Sequence, residues 1–324
     1  MGEFDFIAKH LVKLAGSEAL DLKDDVAIWP LSLEQQDAVI TMDTIVEGVH
    51  FPNGKFDAQL AQKLIRVNIS DLVAKGASPL GYFLSLTLPS WVKEEALIDF
   101  CKGLAKDQNK YGLVLWGGDT TSTRSDCVLT ITMIGTNSLG QTVLRSKASA
   151  GDYICVTGTI GDGYLGLKSI YNQLDSAEYE GDEWARLYTV PQPPFEARNI
   201  IKQYAKSALD ISDGLIADAT HLARASKVGI DIDLEKIPLS RSTTLWLNSH
   251  PDKYYALTAL VNGGDDYQVL MTVNARNWVT MRIACEAVGI SCTRIGTITD
   301  GDGVRCFDKK GVEIPITFPG YTHF

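Results

Sequence analysis

One stretch constrains the fold more than any other. In Leu209-Asp210-Ile211-Ser212-Asp213-Gly214-Leu215 an apolar approach turns through two acids and a serine straight into a helix. Leu215, Ala219 and Leu222 recur at helical spacing. Ser212 or Asp213 therefore reads as the N-cap and Gly214 as a first-turn residue that lets a ligand come close. A cap uses one acid at most. Asp210, flanked by Leu209 and Ile211, is a carboxylate in apolar company and needs a cation, hydrogen-bond donors or water. Alone, the stretch also reads as an Asx-turn and a cap; its repetition along the chain is what sets it apart.

Val39-Ile40-Thr41 alternates into a strand expected to end at Met42-Asp43-Thr44 and so to deliver Asp43 to a loop, although acids at a strand end also serve ordinary turns. Over residues 57–77, Leu60, Leu64 and Val67 share one narrow helical arc, Asp71 lies in the middle of it, and Asn68 lies on its flank. Such an acid is either paired with a distant Arg or Lys or is a metal ligand. A short strand, 113–116, is expected to run into a Gly117-Gly118-Asp119-Thr120-Thr121 loop. Arg145 and Lys147 are the best local cations for a phosphate, or else belong to a solvated loop. Ala150-Gly151-Asp152 reads as the boundary between a domain of residues 1–149 and another of 150–324. Gly161 to Gly166 fits GxGxxG, but Asp162 would face a pyrophosphate and the polar stretch 175–183 offers no second strand. A tight strand-to-helix turn is the better reading. Further along, residues 241–255 look less regular, and Asp300-Gly301-Asp302-Gly303 reads as a hairpin turn. A helix is expected near the start, through Phe6, His10, Leu11 and Leu14.

With 324 residues the chain can bury two cores. Its net charge of −10 argues against a nucleic-acid groove, and it suits an anionic substrate only where metal ions mediate. The six cysteines form no CxxC and read as small core hydrophobes in a reducing compartment. Neither a secretory leader nor a membrane-spanning run is expected, which points to the cytoplasm. P-loop, kinase catalytic-loop and GxSxG signatures are missing from the sequence. What it has is acids beside Gly, Ser or Thr at strand ends, helix starts and a buried helix face: Asp25, Asp43, Asp71, Asp119, Asp210 and Asp213. Oxygen ligands select hard cations such as Mg²⁺. Mg²⁺ in a carboxylate-rich cleft would make an acidic protein attractive to a nucleoside triphosphate, whose phosphoryl transfer depends on positioning and charge neutralisation.

Lys23-Asp24-Asp25-Val26-Ala27, Asp43 through Phe51, Val67-Asn68-Ile69-Ser70-Asp71-Leu72, Gly117 through Thr121, Asp210 through Leu215, Gly263-Gly264-Asp265-Asp266-Tyr267 and the closing Gly320-Tyr321-Thr322-His323-Phe324 occur in this order over nearly the whole chain. Together they resemble the thiamine-monophosphate kinase family, within the superfamily of aminoimidazole ribonucleotide synthetase. The resemblance implies a two-domain α/β (α+β) fold: an N-terminal domain whose sheet pairs with that of a second subunit in a homodimer, and a larger α/β C-terminal domain. It implies transfer of the γ-phosphoryl group of ATP onto thiamine monophosphate with several Mg²⁺ and no general base. By motif, Asp25, Asp43, Asp71, Asp119, Asp210 and Asp213 would hold Mg²⁺, assisted by Thr41 and the Met42 backbone. Gly118, Asp119, Arg145 and Ser212 would meet ATP; His50, Asp265 and Phe318 would meet the thiamine phosphate. The chain departs from the pattern where relatives usually carry Gly for Lys23, Thr for Met42, Glu for Asp265, often Trp for Phe318, and an aromatic near Cys101. A sibling ATP-dependent synthetase and a non-catalytic Mg²⁺-nucleotide binding protein are the competing readings.

Overall fold

The computed structural model describes residues 23–24, 27–29, 35–174 and 181–316. The helix expected near Phe6, together with Asp25, Phe318 and the closing motif, lies outside them. Two sheets form the frame. The first is five-stranded, in the order β1 (Ala27–Trp29), β2 (Gln36–Val46), β5 (Val128–Ser138), β3 (Ser78–Pro89), β4 (Val114–Thr123). Its pairs are antiparallel except β3 with β4, which the helix α2 (Glu94–Tyr111) connects as a crossover.

Two strands run further than the sequence suggests. β2 stays paired with β5 from Gln36 opposite Ser138 to Val46 opposite Val128, so Asp43 lies inside a strand, opposite Ile131, and not in a loop. β4 likewise carries Gly117 through Thr121 as strand along β3. In both cases a long neighbouring ladder supplies hydrogen bonds that outweigh the weak strand preference of Gly and Asp.

Helix α1 (Ala58–Ala74) begins at Asp57, whose carboxylate accepts from Leu60 N–H at 2.9 Å. The wheel predicts one apolar arc, but the helix is buried continuously from Leu60 to Ala74 because it lies between the two sheets. Its charges are paired inside: Arg66 grips Asp107 with two nitrogens, at 2.6 and 2.9 Å, and Lys75, just past the helix, meets Asp24 at 2.6 Å.

The second sheet has seven strands in the order β12 (Glu313–Ile314), β11 (Val304–Phe307), β8 (Gly229–Asp233), β10 (Cys292–Thr299), β6 (Tyr153–Thr157), β9 (Val269–Val273), β7 (Ala205–Asp210). Asp300-Gly301-Asp302-Gly303 is not a hairpin: β8 sits between β10 and β11, so the turn carries the chain over a strand. The stretch expected to be irregular holds two helices, α7 (Arg241–Ser249) and α8 (Lys253–Asn262), started by Ser240 and Asp252, whose side chains accept from Thr243 N–H and Tyr255 N–H. The remaining helices are α3 (Asp162–Ile170), α4 (Gly181–Thr189), α5 (Arg198–Tyr204), α6 (Leu215–Ser226) and α9 (Trp278–Ala287).

One apolar cluster crosses the seam, joining Leu64 and Ile65 of α1 to Val269 and Met271 of β9; a second fills the C-terminal sheet and its helices around Ile154, Leu209 and Leu215. Among the described residues nothing covers the first sheet's other face, with Met42 at 65% and Phe83 and Trp116 each at 45% exposure. Five cysteines are buried and Cys101 is exposed; all are free thiols. No helix among the described residues is long and apolar enough to cross a membrane.

Candidate active site

Four separate pieces of chain converge at the seam. β2 brings Thr41, Met42 and Asp43; α1 brings Asp71; the turn from β7 into α6 brings Asp210, Ser212 and Asp213; the loop from α8 to β9 brings Asp265. All of them, with His50, Tyr164 and Tyr267, line one cavity of about 530 Å³.

The β7–α6 turn is built differently from its sequence reading. Neither Ser212 nor Asp213 caps α6: Gly214 holds that position, with φ 115° and ψ 146°. A Cβ there would sit 2.6 Å from the Asn262 carbonyl oxygen, so only glycine fits both the backbone and the space. The donors of the turn itself are met from inside the helix, where Asp218 Oδ2 accepts from Ser212 N–H and Asp213 N–H at 3.2 Å each. The α8–β9 loop is tied onto this turn. Asp265 N–H donates to the Ser212 carbonyl at 2.9 Å and Tyr267 N–H to the Ile211 carbonyl at 2.8 Å. Asp265 and Tyr267 adopt φ of 67° and 50°, left-handed values that cost non-glycine residues about 1–3 kcal/mol each. Strain of this kind persists where surrounding bonds over-determine it. Asp266, between them, accepts from Gly161 N–H at 2.8 Å and Gly163 N–H at 3.0 Å, so a carboxylate of the chain itself occupies the α3 N-terminus where a dinucleotide phosphate would bind.

Electrostatics divides the acids of the lining into two sets. Burial pushes the Asp43 carboxyl up to about 6, helped by Asp213. Burial also raises Asp210 to about 6, with Asp43 adding to it and Ser70, Arg145 and Lys75 opposing. Asp71 is raised well above the carboxylate range by burial and then by Asp210 and Asp43; its hydrogen-bond donor is the Thr41 hydroxyl. Asp218 is raised by burial and by Asp213 and Asp210. These acids thus repel one another, and the protein itself leaves their charge under-compensated. Among the described residues no three His, Cys, Asp or Glu groups form a ready metal cage, so the acids border an open cavity. The donors are oxygens only, and the surplus charge is the kind a hard divalent cation offsets.

Elsewhere in the lining, His50 Nδ1 accepts from Val46 N–H at 3.1 Å and its carbonyl accepts from the Tyr188 hydroxyl at 2.8 Å. Lys63 meets Asp265 at 3.3 Å, and burial lowers its pKa against the opposing pull of that acid.

Arg145 lies near enough to Asp210 and Asp218 for its charge to act on both, while its N–H donates to Asp24 at 2.9 Å. Lys147 N–H donates to the Ser207 hydroxyl. Gly118 and Asp119 stand apart from the cavity: both are exposed on the edge strand β4, with Asp119 in register with Ser85. Asp218, Lys63 and Tyr267 stand out only in the structure. An acid in a helix's first turn is a recognisable signal for Asp218; Lys63, three residues after Leu60, shares its buried side, but its acid partner is 202 residues away.

The AIR synthase related protein N-terminal domain matches residues 23–137, and the corresponding C-terminal domain matches residues 149–309. The chain is 38% identical to the thiamine-monophosphate kinase of Caulobacter vibrioides over 99% of its own length and 90% of that protein. It is 36% identical to the Escherichia coli K12 thiamine-monophosphate kinase over 100% of its length and 98% of that protein. The solved structure of AaThiL complexed with AMPPCP and TMP superposes with a TM-score of 0.87 at 28% identity, covering 100% of this chain and 97% of that one. With domains, fold and full-length identity in agreement, this chain belongs to the thiamine-monophosphate kinase family of AIR synthase related proteins.

Proposed function

We propose that the protein is an ATP-dependent kinase that transfers the γ-phosphoryl group of ATP directly to the phosphate of thiamine monophosphate, giving thiamine diphosphate and ADP. The observation that carries this reading is the convergence of Asp43, Asp71, Asp210 and Asp213 on one cavity whose lining also holds His50 and Asp265. Family membership and the AMPPCP and TMP bound to the similar structure support it. An acceptor phosphate is already anionic, so no general base is needed, and the work left to the protein is alignment and charge control.

Asp43, Asp71, Asp210 and Asp213, with Thr41, the Met42 carbonyl and the undescribed Asp25, would hold Mg²⁺. Bound there, the ions would offset the phosphate charge in an acidic cleft. Ser212 and Arg145 are assigned to the nucleotide; His50, Asp265 and the undescribed Phe318 to the thiamine phosphate. The reading extends to domains of residues 1–149 and 150–324 and to a cytoplasmic setting.

The bare face of the N-terminal sheet supports a homodimer, in which a second copy covers Met42, Phe83 and Trp116. Asp119 and Gly118 of one copy would then complete the nucleotide site of the other. If so, mixing the inactive variants Asp71→Asn and Asp119→Asn regenerates one intact site per mixed dimer and restores activity; no recovery after subunit exchange defeats the shared site. The function itself is tested by product analysis with ATP, Mg²⁺ and thiamine monophosphate. Thiamine diphosphate is the expected product, and its absence above background overturns the reading. ATP hydrolysis with an amide or aldehyde acceptor would indicate a synthetase, and nucleotide binding without turnover a binding protein.

A further inference from the structure

Behind the cavity lining, Asp265 is backed by a buried cation that phosphoryl transfer does not use. Lys63 is 2% exposed, and its Nζ stands 3.3 Å from Asp265 Oδ1 and 3.4 Å from the centre of the Tyr188 ring. An ammonium removed from water is held here by one carboxylate and one ring face. The Tyr267 hydroxyl donates to the same Oδ1 at 3.1 Å. Both donors share one oxygen, so Oδ2 is the atom with which Asp265 meets a ligand in the cavity it lines. The left-handed backbone of Asp265 and its N–H bond to the Ser212 carbonyl keep the carboxylate there.

This geometry decides what kind of group the oxygen selects. An isolated buried carboxylate draws a cation. One that shares its charge with an ammonium presents a hydrogen-bond acceptor with little net charge, and such a site discriminates by whether the ligand carries a matching donor. Thiamine monophosphate offers both alternatives: a thiazolium cation without N–H, and a single N–H-bearing group, the amine of its pyrimidine ring. We propose that Lys63 is the specificity-determining partner of Asp265, occupying Oδ1 and balancing its charge so that Oδ2 selects the aminopyrimidine N–H of the acceptor rather than its thiazolium. The proposal rests on the kinase reading above. Lys63 acts through Asp265 and does not touch the transferred phosphoryl group, so its influence falls on acceptor recognition and leaves nucleotide binding alone.

The test compares thiamine monophosphate with the analogue bearing oxygen in place of the pyrimidine amine, in steady-state kinetics of the full chain. The wild type is expected to prefer the amine by about tenfold or more in kcat/KM, expressed in KM. Lys63→Met should raise the KM for thiamine monophosphate about tenfold and cut the preference below about threefold, with the KM for ATP unchanged within about twofold. Lys63→Met combined with Asp265→Asn leaves no unpaired buried charge, so it carries the test if the single variant fails to fold, and it too should lose the preference. An unaltered KM and preference in Lys63→Met, or a preference surviving in the double variant, overturns the proposal. A wild type that makes thiamine diphosphate without preferring the amine overturns this inference alone; a wild type that makes none overturns the kinase reading with it.

Discussion

Two sets of acids in one cavity lining stand at opposite ends of charge compensation. At the first, Asp43, Asp71 and Asp210 come from three elements, and burial and mutual repulsion raise their pKa values. At the second, Asp265 is matched within the protein by Lys63 and Tyr267. The difference teaches where binding energy is stored: an under-compensated end gains when a cation arrives, and a compensated end gains only from a ligand whose shape and donors match it.

The largest expected effect breaks the first end. Asp71→Asn keeps an acceptor for the Thr41 hydroxyl but removes the charge, so Mg²⁺-dependent activity should fall ~10³-fold, about 4 kcal/mol of transition-state stabilisation. Repulsion from Asp210 and Asp43 is relieved, so thermal stability without metal should hold or rise. A fall in melting temperature alongside retained activity would mean that Asp71 is structural. The same substitution at the second end should have the reverse signature. Asp265→Asn strands the Lys63 ammonium and should cost about 2 kcal/mol in a denaturant titration. It should also raise the KM for thiamine monophosphate but not for ATP. Equal effects at both ends would erase the contrast.

The smallest effect sharpens it through pH. Asp43 and Asp210 titrate near 6 in the fold against 3.8 when unperturbed, so the folded state binds extra protons between those values. Their contribution to stability without metal is therefore greatest below about pH 4, declines as pH rises through 4 to 6, and levels off above, a change on the order of 3 kcal/mol for each group taken alone. Mg²⁺ should raise the melting temperature more at pH 7 than at pH 5. A flat profile, or a metal effect independent of pH, would show that the acids are not coupled to cation binding.

Much of the first end is legible in the sequence, because Asp43, Asp71 and Asp210 are carboxylates with no local task where they stand. The two-domain α/β plan is legible through the order of the same motifs. The extent of β2 and β4 is not, since Gly117, Gly118 and Asp119 look like a loop until β3 supplies a partner. Nor are α7 and α8, whose Thr, Trp and Tyr side chains blur helical periodicity while the caps at Ser240 and Asp252 hold the helices. The second end is the least legible. Lys63 and Asp265 are 202 residues apart, and no local pattern states that they meet.

Helix α1 carries Lys63 and Asp71 on the same buried rod. Eight residues of α-helix span about 12 Å. Under the proposed reading the rod sets the spacing between the buried partner of Asp265 and an acid of the group that would gather the phosphates. Its length is set by the helix, while Asp265 itself rides on the α8–β9 loop, so a substrate with a longer or shorter arm between ring and phosphate would have to be met by that loop and not by the rod.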